Sequence, residues 1–363
     1  MVPANFKYFM VNPENTSKSL VEEVLERLTR IYKRKVPLDA DHYIDLIETT
    51  KVVLLNENGD IRPRDSSGLP GGLVYLKKDI PTIIVPDIHA RMNFLFSILL
   101  YSLEDGRCST SSNMINGLES QAVQLVCVGD AFHAEGIRAK KRWREAFEEY
   151  KSGFINHEAM DEEMRESLGV MEMVMELKRS FPENFHFLKG NHENIKNELG
   201  GGNFPFRKLA MEGDMVAEYV KKFFGERFLK SFYSFEKNLP LLAAGANFLV
   251  SHAEPAEFYG SEDVIEYRSR PDVVKDLTWT ANDTADEGSV QRMIEYYLGS
   301  DKHDFYYYFG GHRPIRTRYN LRAGGYYVQI HNPEKFIVAI IKPGINIDLQ
   351  NNIIEIEDCT GNV

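Results

Sequence analysis

The chain has 363 residues, 43% hydrophobic and 27% charged, the balance of a globular protein long enough to bury a substantial core. Its net charge of −11 argues against a nucleic-acid binder, which needs a positive field toward the backbone. Phosphorylated substrates stay open, because bound cations reverse a local potential. The three cysteines, Cys108, Cys127 and Cys359, show no CxxC spacing. Neither a cysteine zinc site nor a disulfide framework is therefore expected, and a cytoplasmic, reducing location is the default. The opening residues mix Pro, Asn, Lys and Glu, and no window reaches the apolar length of a membrane span. No signal peptide and no membrane partner are predicted.

Residues 19–34 read as an amphipathic helix, with Ser19 and Glu22 as a capping box and Leu20, Val24, Leu28, Ile31 and Tyr32 on one face. A shorter helix is predicted near 40–50, and residues 56–72 are rich in turn formers and read as loop. The first core strand, 82–85, ends at Pro86-Asp87-Ile88-His89 and precedes an apolar helix over 92–103. Residues 104–120 read as a loop or mobile segment. The strand 122–128 ends at Gly129-Asp130. Residues 137–180 read as charged helix, with Lys140, Lys141, Arg142 and Arg144 on a solvated face; Met171, Met173 and Met175 read as packing, not metal ligands. A strand over 185–188 leads to Gly190-Asn191-His192-Glu193, and 208–235 is again helical. Strands 247–250 and 305–309 end at Ser251-His252 and Gly310-Gly311-His312. Segments 326–330 and 336–341 flank Asn332-Pro333 as a hairpin, and 345–349 and 353–356 read as edge strands. The organisation expected is an N-terminal helical extension and loop (1–75), a catalytic domain (76–345) with a helical insert at about 137–180, and C-terminal strands or tail (346–363). Strands separated by helices, then a run of strands, predict an α/β protein: a layered mixed β-sandwich flanked by helices.

Five predicted strand ends thus carry metal-type ligands: Asp87, His89, Asp130, Asn191, His252 and His312. They suffice for two ions. Mixed nitrogen and oxygen sites suit manganese, iron, zinc or cobalt better than calcium. An aspartate can bridge two ions, and water or hydroxide between them is the expected nucleophile for phosphate ester hydrolysis.

The ordered motifs Asp87-x-His89, Gly129-Asp130, Gly190-Asn191-His192-Glu193, His252 and Gly311-His312 resemble the calcineurin-like metallophosphoesterases over roughly 81–340. The resemblance implies that fold, with Asp130 bridging, Asp87 and His89 completing one site, and Asn191, His252 and His312 the other. Gly311-His312-Arg313-Pro314 lacks the second histidine of the G-H-x-H of many branches, as do the protein serine/threonine phosphatases. Leu239-Pro240-Leu241 and Asp276-Leu277-Thr278-Trp279 resemble that branch too. Its G-D-x-V-D-R-G reads here as Gly129-Asp130-Ala131-Phe132-His133-Ala134-Glu135-Gly136, one residue longer, without the second aspartate or the phosphate-gripping arginine.

His192 is the candidate general acid, with Glu135 or His133 as its partner, and Glu193 supports the metal ligands without being one. Arg313 leads the candidates for a phosphate clamp, ahead of Arg91, Arg138, Arg268 and Arg270. His42, His157, His186, His303 and His331 lack ligand spacing and are expected to carry no chemistry. The function expected is a dimetal phosphomonoesterase acting on a phosphorylated small molecule or a phosphoprotein. The alternatives are a phosphodiesterase or dinucleoside polyphosphate hydrolase on the same core, and a non-catalytic metal-binding scaffold. The oligomeric state is left open.

Overall fold

The computed structural model describes residues 18–109, 111–299 and 305–362. Their strands are β1 (Leu73–Tyr75), β2 (Thr82–Val85), β3 (Gln124–Cys127), β4 (Phe185–Phe187), β5 (Leu242–Ala244), β6 (Phe248–Ser251), β7 (Tyr307–Gly310), β8 (Asn320–Arg322), β9 (Tyr327–Gln329), β10 (Ile337–Ile341) and β11 (Ile353–Glu355). They form two mixed sheets, ordered β1-β5-β6-β7-β9-β8 and β11-β10-β2-β3-β4. In each sheet three neighbouring strands run parallel: β2, β3 and β4 in one, β6, β7 and β9 in the other.

Alternation along the strands sets the layers. Ile84 and Val126 face Val250, Phe309 and Val328 in a core between the sheets. The intervening Ile83, Val85, Leu125 and Cys127 face the opposite way, into a helical layer. That layer holds α1 (Leu20–Lys33), α2 (Ala40–Leu55), α3 (Met92–Leu100), α4 (Met114–Glu119), α5 (Gly136–Lys151), α6 (Glu158–Ser180), α7 (Glu212–Phe223) and α8 (Gly225–Glu236). The outer face of the other sheet packs on α9 (Ser261–Ile265), α10 (Pro271–Thr278) and α11 (Ser289–Leu298), and α12 (Leu349–Asn352) precedes β11. The expected layered α/β sandwich is the fold observed.

Helix α1 carries the capping box of Ser19 and Glu22, and buries Val21, Val24, Leu28 and Ile31; Leu20 is exposed instead. Helix α6 is buried all round from Leu168 to Met175, because α1, α2 and α5 enclose it. This explains methionines at a spacing of two: every side of the helix is core. The N-terminal helices are also tied in by charge. Arg62 is fully buried, 2.7 Å from Glu57, and donates to the carbonyls of Gly71 and Asn238; Lys178 of α6 lies 2.5 Å from the same Glu57.

Four expectations need correction. The hairpin at 326–341 does not form: β9 and β10 belong to different sheets, and the chain crosses the sandwich between Ile330 and Ile337, both buried between the sheets. Segment 104–120 contains α4, capped by Asn113. Residues 345–349 make no strand, whereas the C-terminal strand is present as β11. Finally, Cys108 and Cys359 form a disulfide across a sequence separation of 251, with Cα atoms 5.6 Å apart. Sequence spacing gives no sign of a pair so distant. Such bonds persist in oxidising surroundings, so the cysteines lend no support to a cytoplasmic location. No helix among the described residues is long and apolar enough to cross a membrane.

Candidate metal centre

The parallel strands of both sheets end along one edge of the sandwich, and the loops that follow them meet there. Asp87 and His89 follow β2, Asp130 follows β3, and Asn191 and His192 follow β4. From the other sheet, His252 follows β6, His312 follows β7 and His331 follows β9. Backbone bonds hold the loops together: His89 N–H donates to Asp130 O, Gly311 N–H to His252 O, and His312 N–H to both Asp87 carboxylate oxygens.

The turns are tight. His89, Asp130 and His312 have φ values of 47°, 55° and 61°, a left-handed conformation that non-glycine residues adopt at a cost of about 1–3 kcal/mol. The Glu193 carboxylate accepts bonds from the N–H groups of Asp130, Ala131 and Gly190, at 2.6–2.8 Å, and so pins the Asp130 turn. Two glycines are required by close approach: a Cβ at Gly190 would lie 2.1 Å from Asp130 Oδ1, and one at Gly311 would lie 1.7 Å from Asp87 Oδ1.

Asp130 Oδ2 is the hub. It lies 3.3 Å from His252 Nε2, 3.6 Å from His192 Nε2 and 3.8 Å from His89 Nε2, and it is buried without a hydrogen-bond partner among the described residues. Asn191 Oδ1 lies 2.9 Å from His252 Nε2 and 2.8 Å from His312 Nδ1. Donor atoms about 2.1 Å from a shared transition metal stand about 3–3.5 Å from each other, close to these separations. The outer ring nitrogens are already engaged: His89 Nδ1 with Phe132 O at 3.0 Å, and His252 Nδ1 with Val128 O at 3.2 Å. Fixing the tautomer in this way leaves the inner nitrogen free to ligate.

The electrostatics agree. Burial opposes charge on His89 and His252, yet Glu135, Asp130 and Asp87 outweigh it for the first, and Asp130 and Asp87 for the second, raising both to about 9. Burial would raise the Asp87 carboxyl, but His331 and His252 hold it below its usual range. Buried carboxylates that draw positive charge onto neighbouring imidazoles mark a place for cations. The clustered aspartates and histidines form a dinuclear site for transition-metal ions, the apparatus of a metal-dependent phosphoesterase.

His192 stands beside this cluster. Its Nδ1 lies 2.5 Å from His133 Nδ1, and its ring packs on Phe206 with centroids 3.8 Å apart. Burial, then the positive charge of neighbouring imidazoles, lowers both rings, His133 to about 3 and His192 well below its usual value. Glu135 turns away from His192: it pairs with Lys208, and its other oxygen lies 3.1 Å from His331 Nε2. Arg313 is exposed beside His312, and its side chain makes no hydrogen bond or ion pair among the described residues. Arg91 is spent on the carbonyls of Asp87, Ile88, Asn332 and Lys335, while Arg268 and Arg270 pair with Asp65 and with Asp263 and Asp272. The Arg138 side chain and His303 lie outside the described residues.

Two participants were missed in the sequence. His331, expected to carry no chemistry, is fully buried at the centre, and the signal was present: it follows a buried strand, as the other candidate ligands do. Lys208, on the loop before α7, gave no signal, because only folding brings it to Glu135.

No family model matches the chain, and no curated protein does. Among solved structures, a protein serine/threonine phosphatase from Saccharomyces cerevisiae is 14% identical, with a TM-score of 0.55 over 92% of this chain and 93% of that one. A cold-active protein-tyrosine phosphatase of a psychrophilic Shewanella is 11% identical, with a TM-score of 0.42 over 78% and 79%. A metallophosphoesterase from Sphaerobacter thermophilus is also 11% identical, with a TM-score of 0.34 over 78% and 91%. Two mixed sheets between helical layers, with every candidate ligand at one edge, give this chain the fold of the calcineurin-like metallophosphoesterases.

Proposed function

We propose that the chain is a phosphomonoesterase of the phosphoprotein phosphatase kind. The observation that carries the reading is the buried, unpartnered Asp130 Oδ2, ringed by imidazole nitrogens at 3.3–3.8 Å. Asp87, His89 and a shared Asp130 would hold one ion; Asp130, Asn191, His252 and His312 would hold the other. Manganese, iron or zinc fits these donors. When bound, the pair of ions supplies an activated water and offsets the negative charge of the phosphoryl oxygens. His192, its ring held at Nδ1 by His133, is placed to protonate the leaving oxygen from Nε2 once the negative charge of the bound phosphoryl group has favoured its imidazolium form. Phe206 covers both rings and excludes water from them. Arg313 grips the phosphoryl group, and Lys208 adds positive charge at the rim.

A peptide-sized substrate is supported by the adjoining cleft, about 1060 Å³, which His89 and Glu135 line together with Lys33, Lys35, Arg142 and Arg165. Its volume lies at the top of the range of small-molecule pockets. The serine/threonine phosphatase of similar fold points the same way. The test is a substrate panel with manganese: phosphopeptides, aryl phosphate monoesters, phosphodiesters and dinucleoside polyphosphates. Monoesters are expected to turn over fastest, phosphopeptides among them. Preferential cleavage of diesters or dinucleoside polyphosphates would overturn this reading in favour of those activities.

A further inference from the structure

We infer that His331 is a metal ligand, the fourth protein donor to the ion held by Asp87, His89 and Asp130, and that Glu135 is the carboxylate that orients it. The inference rests on the dinuclear reading above.

Three adjacent parallel strands in each sheet end at the centre. Strands β2, β3 and β4 deliver donors from one sheet, and β6 and β7 deliver them from the other. His331 sits two residues beyond β9, the third member of that second set. Without it, one ion has four protein donors and the other only three.

Side-chain geometry carries the point further. His331 is fully buried, and its Nδ1 has no hydrogen-bond partner among the described residues. That nitrogen lies 3.8 Å from Asp87 Oδ2, and His89 Nε2 lies 3.7 Å from the same oxygen. One donor atom from each of Asp87, His89 and His331 falls within 4.8 Å of the others. At the far side of the ring, Nε2 faces Glu135 Oε2 at 3.1 Å. A carboxylate that takes the Nε2 proton fixes the tautomer with its lone pair on Nδ1, aimed at the ion. A histidine kept only as a structural partner of Glu135 would leave Nδ1 buried and unsatisfied, which is costly. Glu135 also lies 3.7 Å from His89 and pairs with Lys208, so one carboxylate steadies two imidazoles. Its place in the molecule is that of a positioning residue for His331 and His89.

The experiment is metal counting on the full chain. The protein is stripped with chelator and reloaded with manganese or cobalt. Bound metal is measured by mass spectrometry after dialysis at micromolar metal, with folding checked by circular dichroism. The wild type is expected to keep two ions per chain, and His331→Ala one. His331→Gln, which preserves volume, takes its place should the alanine variant not fold. Glu135→Gln is expected to keep two ions at saturation, with one bound about 10–100-fold more weakly. A cobalt-loaded wild type should lose a nitrogen donor from its X-ray absorption spectrum on the His331 substitution. Two ions held by a folded His331 variant, as tightly as in the wild type, would overturn the inference alone. A wild type that takes up no ion would overturn the dinuclear reading and this inference with it.

Discussion

Asp130 and His192 are neighbours in space with different tasks, and substitution separates them. Asp130 uses its carboxylate oxygens differently: Oδ1 accepts the His192 backbone N–H at 2.9 Å, and Oδ2, without a hydrogen-bond partner among the described residues, faces the imidazoles. Asp130→Asn removes the charge proposed to be shared by both ions while keeping the shape. It should lower metal occupancy and reduce turnover by at least about 100-fold. A variant that retains both ions and wild-type turnover would remove Asp130 from the bridging position. The His192 side chain faces the centre through its Nε2 edge, 3.6 Å from Asp130 Oδ2. His192→Ala should leave the metal content near two per chain while slowing turnover by about 10²–10⁴-fold, the usual contribution of a positioned proton donor. Parallel loss of metal would make His192 a structural element of the centre instead.

At the scale of elements, the helical layer is fastened to the sheet by a buried charge cluster. Burial raises the Glu57 carboxyl, but Lys178, Arg62 and His186 together prevail and lower it to about 2. A carboxylate depressed by folding contributes stability above its unfolded value, and that contribution disappears as pH falls through the folded one. The chain should therefore lose stability between about pH 4.5 and pH 2 from this group, on the order of 3 kcal/mol. Acid unfolding followed by circular dichroism should show a steeper slope for the wild type than for Glu57→Gln in that window. Equal slopes would mean that the cluster contributes nothing to acid stability. The strand-end turns show the complementary economy of the fold: left-handed Asp130 and His312 are tolerated because Glu193 and Asp87 hold the surrounding backbone.

The whole molecule is closed by the bond between Cys108, ahead of α4, and Cys359 at the C-terminal end. Ser97 and Asp358 reinforce the closure, since Cys359 N–H donates to Ser97 Oγ at 2.9 Å and the Asp358 carboxylate accepts from Asn93. A cross-link spanning so long a loop constrains the unfolded chain, so the double variant Cys108→Ser, Cys359→Ser should be less stable by about 2–5 kcal/mol. Its turnover should be unchanged, because neither cysteine reaches the metal centre. Thermal unfolding with and without reductant measures this; identical curves would show the bond to be energetically idle.

Local patterns in the sequence carried the strands, their buried faces and the six polar side chains that the fold gathers at one edge, because alternation and the strand-end position of a polar residue are encoded within a few neighbouring residues. Asp87 beside His89, and Gly190 before Asn191, state their chemistry wherever the chain places them. Tertiary structure alone decided which strands pair. Segments 326–330 and 336–341 look like a hairpin locally, yet they serve opposite sheets, since burial against Val328 and Ala339 on facing layers outweighs pairing across a short turn. It also decided that His331 and Lys208 lie at the centre, that Glu135 turns to His331 and not to His192, that Arg62 is core, and that Cys108 meets Cys359. Those placements depend on contacts between residues far apart in the chain, where no spacing rule applies and only the packed layers fix who meets whom.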